Sequence, residues 1–176
     1  MTFVVDGTNG LTFNDATTQS STATNASNIS SGTLGKARLP TGSVLQVVST
    51  TTNTSFLSSS PSYTDTGFSL SITPNFSTSK ILVRFIGGNI QSTSSNAQPY
   101  FTVYRGATQL YGNRGLQQSW IQSGGFSAPL SLETLDSPAT TSATSYKLYM
   151  AVNSVAIGIN YYDSAYLTIT LMEIAA

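Results

Sequence analysis

The sequence predicts an all-β protein: an antiparallel jelly-roll β-sandwich preceded by an extended N-terminal segment. Three observations carry this. From Ser43 onward, short apolar stretches recur roughly every 8 to 15 residues, several with the period of two expected of a half-buried strand. Clusters of Gly, Pro, Asn and Ser separate them. No window repeats its apolar residues at helical spacing. About eight strands in roughly 130 residues suits a jelly roll.

Residues 1–42 read as one region and 43–176 as another. In the first, Phe3 and Val5 alternate, Gly7 and Gly10 bracket a turn, and Leu11 and Phe13 alternate again. Residues 16–33 are almost purely Thr, Ser, Ala and Asn, and the region closes on Leu34, Leu39 and Pro40 between Gly35 and Gly42. Ordering a residue costs about 1–2 kcal/mol, which one or two apolar side chains do not offset. The segment 7–21 is therefore expected to be one strand of a structure shared between copies, with Leu11 and Phe13 facing its neighbours.

In the second region, Val44 to Val48 is apolar except for Gln46. "TGFSLSI" sets Phe68, Leu70 and Ile72 against Ser69 and Ser71, and "TPNFSTS" is a turn. "KILVRFIGGNI" is apolar on both faces, with Ile81, Val83 and Phe85 on one and Leu82 and Ile86 on the other. "PYFTVYRG" alternates and can form a hairpin with "ATQLYG". "FSAPLSLETL", "YKLYMAV", "VAIGIN" and "AYLTITLMEI" supply the remaining strands. In the last, Leu167, Ile169 and Leu171 face one way, and Tyr166, Met172 and Ile174 the other. A sheet solvated on one side carries a polar face there. The strands at 81–86 and 166–174 lack one, so their outer face is expected to pack against other copies of the chain.

Composition narrows the function. Charged residues make up 8% of 176, with seven basic and seven acidic side chains and a net charge of zero. The basic residues are scattered, so neither nucleic-acid binding nor a basic membrane surface is expected. No stretch reaches the ~18 apolar residues that span a bilayer, and no secretory signal is visible. There is no Cys and no His, which removes disulfides, thiolate chemistry and His-based acid–base catalysis. No dense Asp/Asn/Gly loop suggests a calcium site, so no metal and no cofactor are expected.

Several phrases then point further. "ISSGTLGKARLPTGSVLQVV" (Ile29 to Val48) and "GLTFNDATTQSSTA" (Gly10 to Ala23) resemble the junction and shaft segments of tailed-bacteriophage fibre proteins. "YTDTGFSLSITPNFSTSKILVRF", "PYFTVYRGATQL", "SLETLDSPATTSATSYKLYM" and "LTITLMEIA" resemble the C-terminal head domain of fibre proteins from marine and cyanobacterial phages. The resemblance implies a non-enzymatic virion protein made in the host cytoplasm. It also implies a homotrimer whose jelly-roll head is similar to those of the complement and tumour-necrosis-factor families. Residues 1–42 would attach to another virion protein, and the head would recognise a host-surface glycan or protein. A capsid, collar or baseplate decoration without a receptor is the alternative. The trimer contacts are then expected at Leu11, Phe13, Leu34, Leu39, Tyr166, Met172 and Ile174.

Two loops carry side-chain types suited to sugars, which need an aromatic face for their C–H side and planar polar groups for their hydroxyls. One holds Tyr111, Asn113, Arg114 and Trp120; the other holds Tyr161, Tyr162 and Asp163. The same aromatics would serve equally in a core or an interface. Glu133, Asp136 and Asp163 are the carboxylates a glycan-cleaving tailspike would need. Asp136, however, precedes Ser-Pro as an ordinary turn former, and Glu133 lies on a solvated strand face. No catalytic residue is expected.

Overall fold

The computed structural model describes residues 4–6, 10–12, 18–19, 34–92, 94–122, 125–153, 155–161 and 165–176. The chain divides into two compact units, Met1–Arg38 and Leu39–Ala176.

The first unit contains strands β1 (Val4–Asp6), β2 (Gly10–Thr12) and β3 (Thr18–Gln19), joined as an antiparallel sheet in the order β1-β2-β3. Leu11 pairs with Val5 on one side and Gln19 on the other. The sequence suggested a strand completed by other copies; here the chain itself supplies both neighbours of β2. Phe13 lies outside the described residues.

The second unit is an all-β sandwich. Its strands are β4 (Val44–Thr52), β5 (Phe56–Ser58), β6 (Thr64–Ile72), β7 (Lys80–Ser92), β8 (Pro99–Arg105), β9 (Thr108–Gln109), β10 (Gln117–Gln118), β11 (Phe126–Asp136), β12 (Thr144–Val152), β13 (Ile157–Ile159) and β14 (Leu167–Ile174). The first sheet runs β4-β14-β7, with β11 on the other side of β7 and the β13-β5 pair continuing beyond the end of β14. The second runs β6-β12-β8, and β9 and β10 share the outer edge of β8. Taking β4, β6, β7, β8, β10, β11, β12 and β14 as positions one to eight, the sheets read one-eight-three-six and two-seven-four-five. That is jelly-roll order.

Alternation fixes which side chains meet. Ile81, Val83 and Phe85 of β7, Leu167, Ile169 and Leu171 of β14, and Leu130 and Leu132 of β11 point inward and are buried. Phe68, Phe101, Val103, Tyr146, Leu148 and Met150 face them from the second sheet. Each such side chain contributes about 1.5–3 kcal/mol relative to exposure. The Tyr146 hydroxyl donates to Asp136 Oδ2 at 2.7 Å, and Arg105 Nη1 reaches both Asp136 oxygens at 2.9 Å. Asp136 thus clasps β11 to β8 and β12 across the sandwich. Burial, then the hydrogen bond to Asp136, pushes the Tyr146 phenol well above its ordinary value.

β7 changes partner at Gly87 and Gly88, whose φ values are 94° and 62°. A Cβ at Gly87 would meet the Tyr166 carbonyl oxygen at 2.6 Å, so the strand bends where only glycine fits.

Candidate functional site

The two outer faces of the sandwich differ. On the first sheet, register sets Val47 opposite Met172, Met172 opposite Leu82, and Leu82 opposite Leu135. One apolar residue from each of four strands therefore forms a continuous row. Val44 and Ile174 extend it at the β4–β14 end. Val47 and Leu135, at its two ends, are 53% and 50% exposed. The neighbouring row is polar: Ser49, Thr170, Arg84 and Glu133, the last two ion-paired at 2.7 Å.

On the second sheet the outer face is aromatic and amidic. Tyr100 and Tyr104 alternate along β8 with the buried Phe101 and Val103. Tyr104 stacks on Tyr149 of β12 at 3.8 Å between ring centroids. The Tyr100 hydroxyl donates to Gln98 Oε1 at 2.7 Å, and that of Tyr104 to Gln109 Oε1 at 3.1 Å. Both bonds hold a ring at a set tilt and turn an amide toward the same surface. Pro61, Ser62 and Tyr63 rise on one side, and Gln109 and Asn113 on the other. They enclose an open hollow of about 540 Å³ floored by Tyr100, Tyr104 and Ala151, within the usual size range of small-ligand sites. No carboxylate is among its lining residues. Burial, then Tyr104 and Tyr100, pushes the Tyr63 phenol upward, and its hydroxyl is buried.

The rim is a tight turn in which the Gly115 amide donates to the Gly112 carbonyl at 2.8 Å. Asn113 and Arg114 form its tip. The Arg114 guanidinium lies 6.0 Å from the Tyr100 ring centroid, and Nη1 donates to Gln118 Oε1 at 3.3 Å. Gly115 has a φ of 65°, and a Cβ there would strike the Phe101 carbonyl and come within 2.8 Å of the Tyr63 hydroxyl. Gly115→Ala is expected to lift the turn from β8 and cost about 2 kcal/mol. Thermal unfolding would read this as a drop of roughly 4–8 °C.

The residues singled out from sequence are distributed as follows. Asn113 lines the hollow, and Arg114 stands beside it, with its guanidinium 6.0 Å from the Tyr100 ring centroid. Trp120 is 62% exposed. Constant register, Gln117 opposite Phe101 and Ile121 opposite Ala97, puts it across from Gln98 on the same face as Tyr100. Tyr111 turns elsewhere: its hydroxyl bonds Thr134 Oγ1 on β11, and its carbonyl accepts from Thr102 Oγ1 at 3.2 Å. Tyr161 packs over Gly158 of β13 in the other sheet, so the two loops do not meet on one face through it. Tyr162 and Asp163 lie outside the described residues. Tyr166, Met172 and Ile174 lie on the outer side of the first sheet, and Leu34 and Leu39 are half-buried. Glu133 and Asp136 project to opposite faces of β11.

Sequence reasoning missed Tyr63, Tyr100, Tyr104 and Gln109. The signal was in "PYFTVYRG", where two of the three positions on the outward face, Tyr100 and Tyr104 on either side of Thr102, are tyrosines.

No protein-family model matches the chain, and no curated protein matches it. Among solved structures it is similar to one described as the structure of infectious bursal disease virus Gt strain. That match has 14% identity, a TM-score of 0.45, and coverage of 83% of this chain and 42% of the other. A second is described as the Gx strain of the same virus, with 14% identity, a TM-score of 0.40, and coverage of 74% and 37%. The chain thus spans less than half the length of either.

Proposed function

We propose that the chain is a structural protein of a virion, a short homotrimeric fibre or fibre-like knob. Residues 1–42 attach it to another virion protein, and its second sheet binds glycans of the host surface. The binding role rests chiefly on one observation: a hollow floored by tyrosines and rimmed by Gln109 and Asn113 on an otherwise hydroxyl-rich surface. A sugar ring lays its C–H face on Tyr100 or Tyr104, while its hydroxyls meet the amides. Three equivalent weak sites multiply avidity without a tight single site. The fibre-like phrases of the sequence support the virion setting, and the apolar row on the first sheet supports assembly from several copies.

Binding is favoured over cleavage by how the described carboxylates are engaged. Asp65 pairs with Lys147, Glu133 with Arg84 and Asp136 with Arg105, and Glu173 is buried. No two of them face each other across a cleft, as a glycosidase requires.

The test uses the full chain against immobilised host-envelope polysaccharide. Tyr100→Ala is expected to weaken binding about tenfold or more, while thermal unfolding stays within about 2 °C. Binding unaffected by Tyr100→Ala would move the site elsewhere. Absence of binding by the unmodified chain would leave a decoration protein without a receptor.

A further inference from the structure

We infer that the saccharide held in the tyrosine hollow is anionic, with its acidic group on Arg114 and its ring on Tyr100. This rests on the reading of the hollow as a sugar site and adds what kind of sugar it takes.

Arg84, Arg105 and Lys147 each have a carboxylate at 2.7–3.1 Å. Arg114 has none among the described residues. Among the described residues its hydrogen-bond partner is the neutral side-chain carbonyl of Gln118, at the long distance of 3.3 Å. The hollow beside it is lined by phenols, amides, a serine, a proline and an alanine, with no acidic group. Asp65, an acidic residue of the same face, already accepts from Lys147 Nζ at 3.1 Å and from the Gly67 amide at 2.9 Å. No described carboxylate therefore compensates the charge of Arg114 beside Tyr100.

Geometry gives that charge a direction. Arg114 sits at the tip of a turn closed by the Gly112–Gly115 hydrogen bond, and Gln109 Nε2 donates to the Gly112 carbonyl at 3.4 Å. The guanidinium is held near the Tyr100 face, which restricts its rotamers. A planar fork so held presents parallel N–H donors, the arrangement that suits a carboxylate or a sulfate ester. A sugar lying on Tyr100 would bring a ring substituent to that fork, and a neutral hydroxyl would leave most of it unused.

The experiment measures binding of the intact chain to three soluble oligosaccharide pools: oligogalacturonate, sulfated galactan oligomers and neutral galactan oligomers. At least one acidic pool should bind about tenfold more tightly than the neutral pool, and added salt should erode the difference. The pool that wins tells carboxylate from sulfate. Arg114→Ala should abolish the preference, bringing acidic binding down to that of the neutral pool, and Arg114→Lys should restore only part of it. Lys80→Ala, which removes an exposed cation on the other sheet, should change nothing. Neutral oligomers bound as tightly as acidic ones would overturn the inference and leave the sugar site standing. An acidic preference that survives Arg114→Ala would overturn it as well. Failure of all three pools to bind would remove the underlying site along with it.

Discussion

Leu82→Glu is expected to sediment as a monomer at micromolar concentration, where the proposed homotrimer of the unmodified chain would sediment as a trimer. Leu82 is the third member of the row Val47, Met172, Leu82 and Leu135, one residue from each of four adjacent strands. At about 4.8 Å per strand the row is roughly 14 Å across, wide enough to form the centre of a contact between copies. A carboxylate placed there must be stripped of water; Lys80 and Arg84 flank it on the same face of β7 outside the row, and Arg84 is already held by Glu133. That penalty is about 4 kcal/mol, a thousandfold loss of affinity. Folding should survive, because Leu82 points away from the core that Ile81 and Val83 fill. Leu135→Glu, half exposed at the end of the row, provides a second variant with still less demand on the monomer. A wild-type monomer at this concentration would remove the interface altogether. A trimer that tolerates both substitutions would be held through other residues, with 1–42 the first candidates.

How much of this was legible depends on whether periodicity or pairing carries the information. The two-faced character of β7 and β14 is in the sequence, because alternation along one strand separates Phe85 from Ile86 and Leu171 from Met172. The row is not legible, because it needs the register that sets Met172 between Val47 and Leu82. The hollow is hidden for the same reason. Tyr63 comes from a loop, Tyr100 and Tyr104 from β8, and Tyr149 from β12, so only strand pairing makes them neighbours. Tyr111 and Arg114 are three residues apart, yet one is bonded toward β11 and the other lies over Tyr100. Asp136 reads locally as a turn former; its clasp on Arg105 and Tyr146 spans separations that no local rule covers.

Glu173 shows a local signal that was present but unused: a carboxylate on the inward parity of the last strand, between Leu171 and the C-terminus. It is fully buried, and its hydrogen-bond partners donate to it. Gln46 Nε2 lies at 2.7 Å, the Asn75 amide at 2.7 Å and its side chain at 2.5 Å, and the Phe76 amide at 3.3 Å. These bonds tie the β6–β7 turn and β4 to the end of β14. Burial alone would push the carboxyl upward. The Ser79 hydroxyl beside it, then Asn75 and Gln46, outweigh that and hold it below its ordinary value of 4.5. Glu173→Gln keeps the shape but puts an NH₂ group where donors already point, so at least one donor is left without an acceptor. The expected loss is about 3 kcal/mol at neutral pH, or roughly 6–12 °C in Tm. The sign with pH follows from the lowered value. The stabilisation is present above the ordinary carboxylate range and is lost as pH falls through the folded-state value. The stability gap between wild type and Glu173→Gln should therefore be full above about pH 5 and narrow steadily on acidification. Asp65, also lowered, is present in both proteins, so its share cancels in the difference. Denaturant unfolding of the two proteins from pH 7 to pH 3 measures it. A gap that stays constant across that range would mean that folding does not shift the Glu173 carboxyl, and one that widens on acidification would mean that it is protonated in the fold.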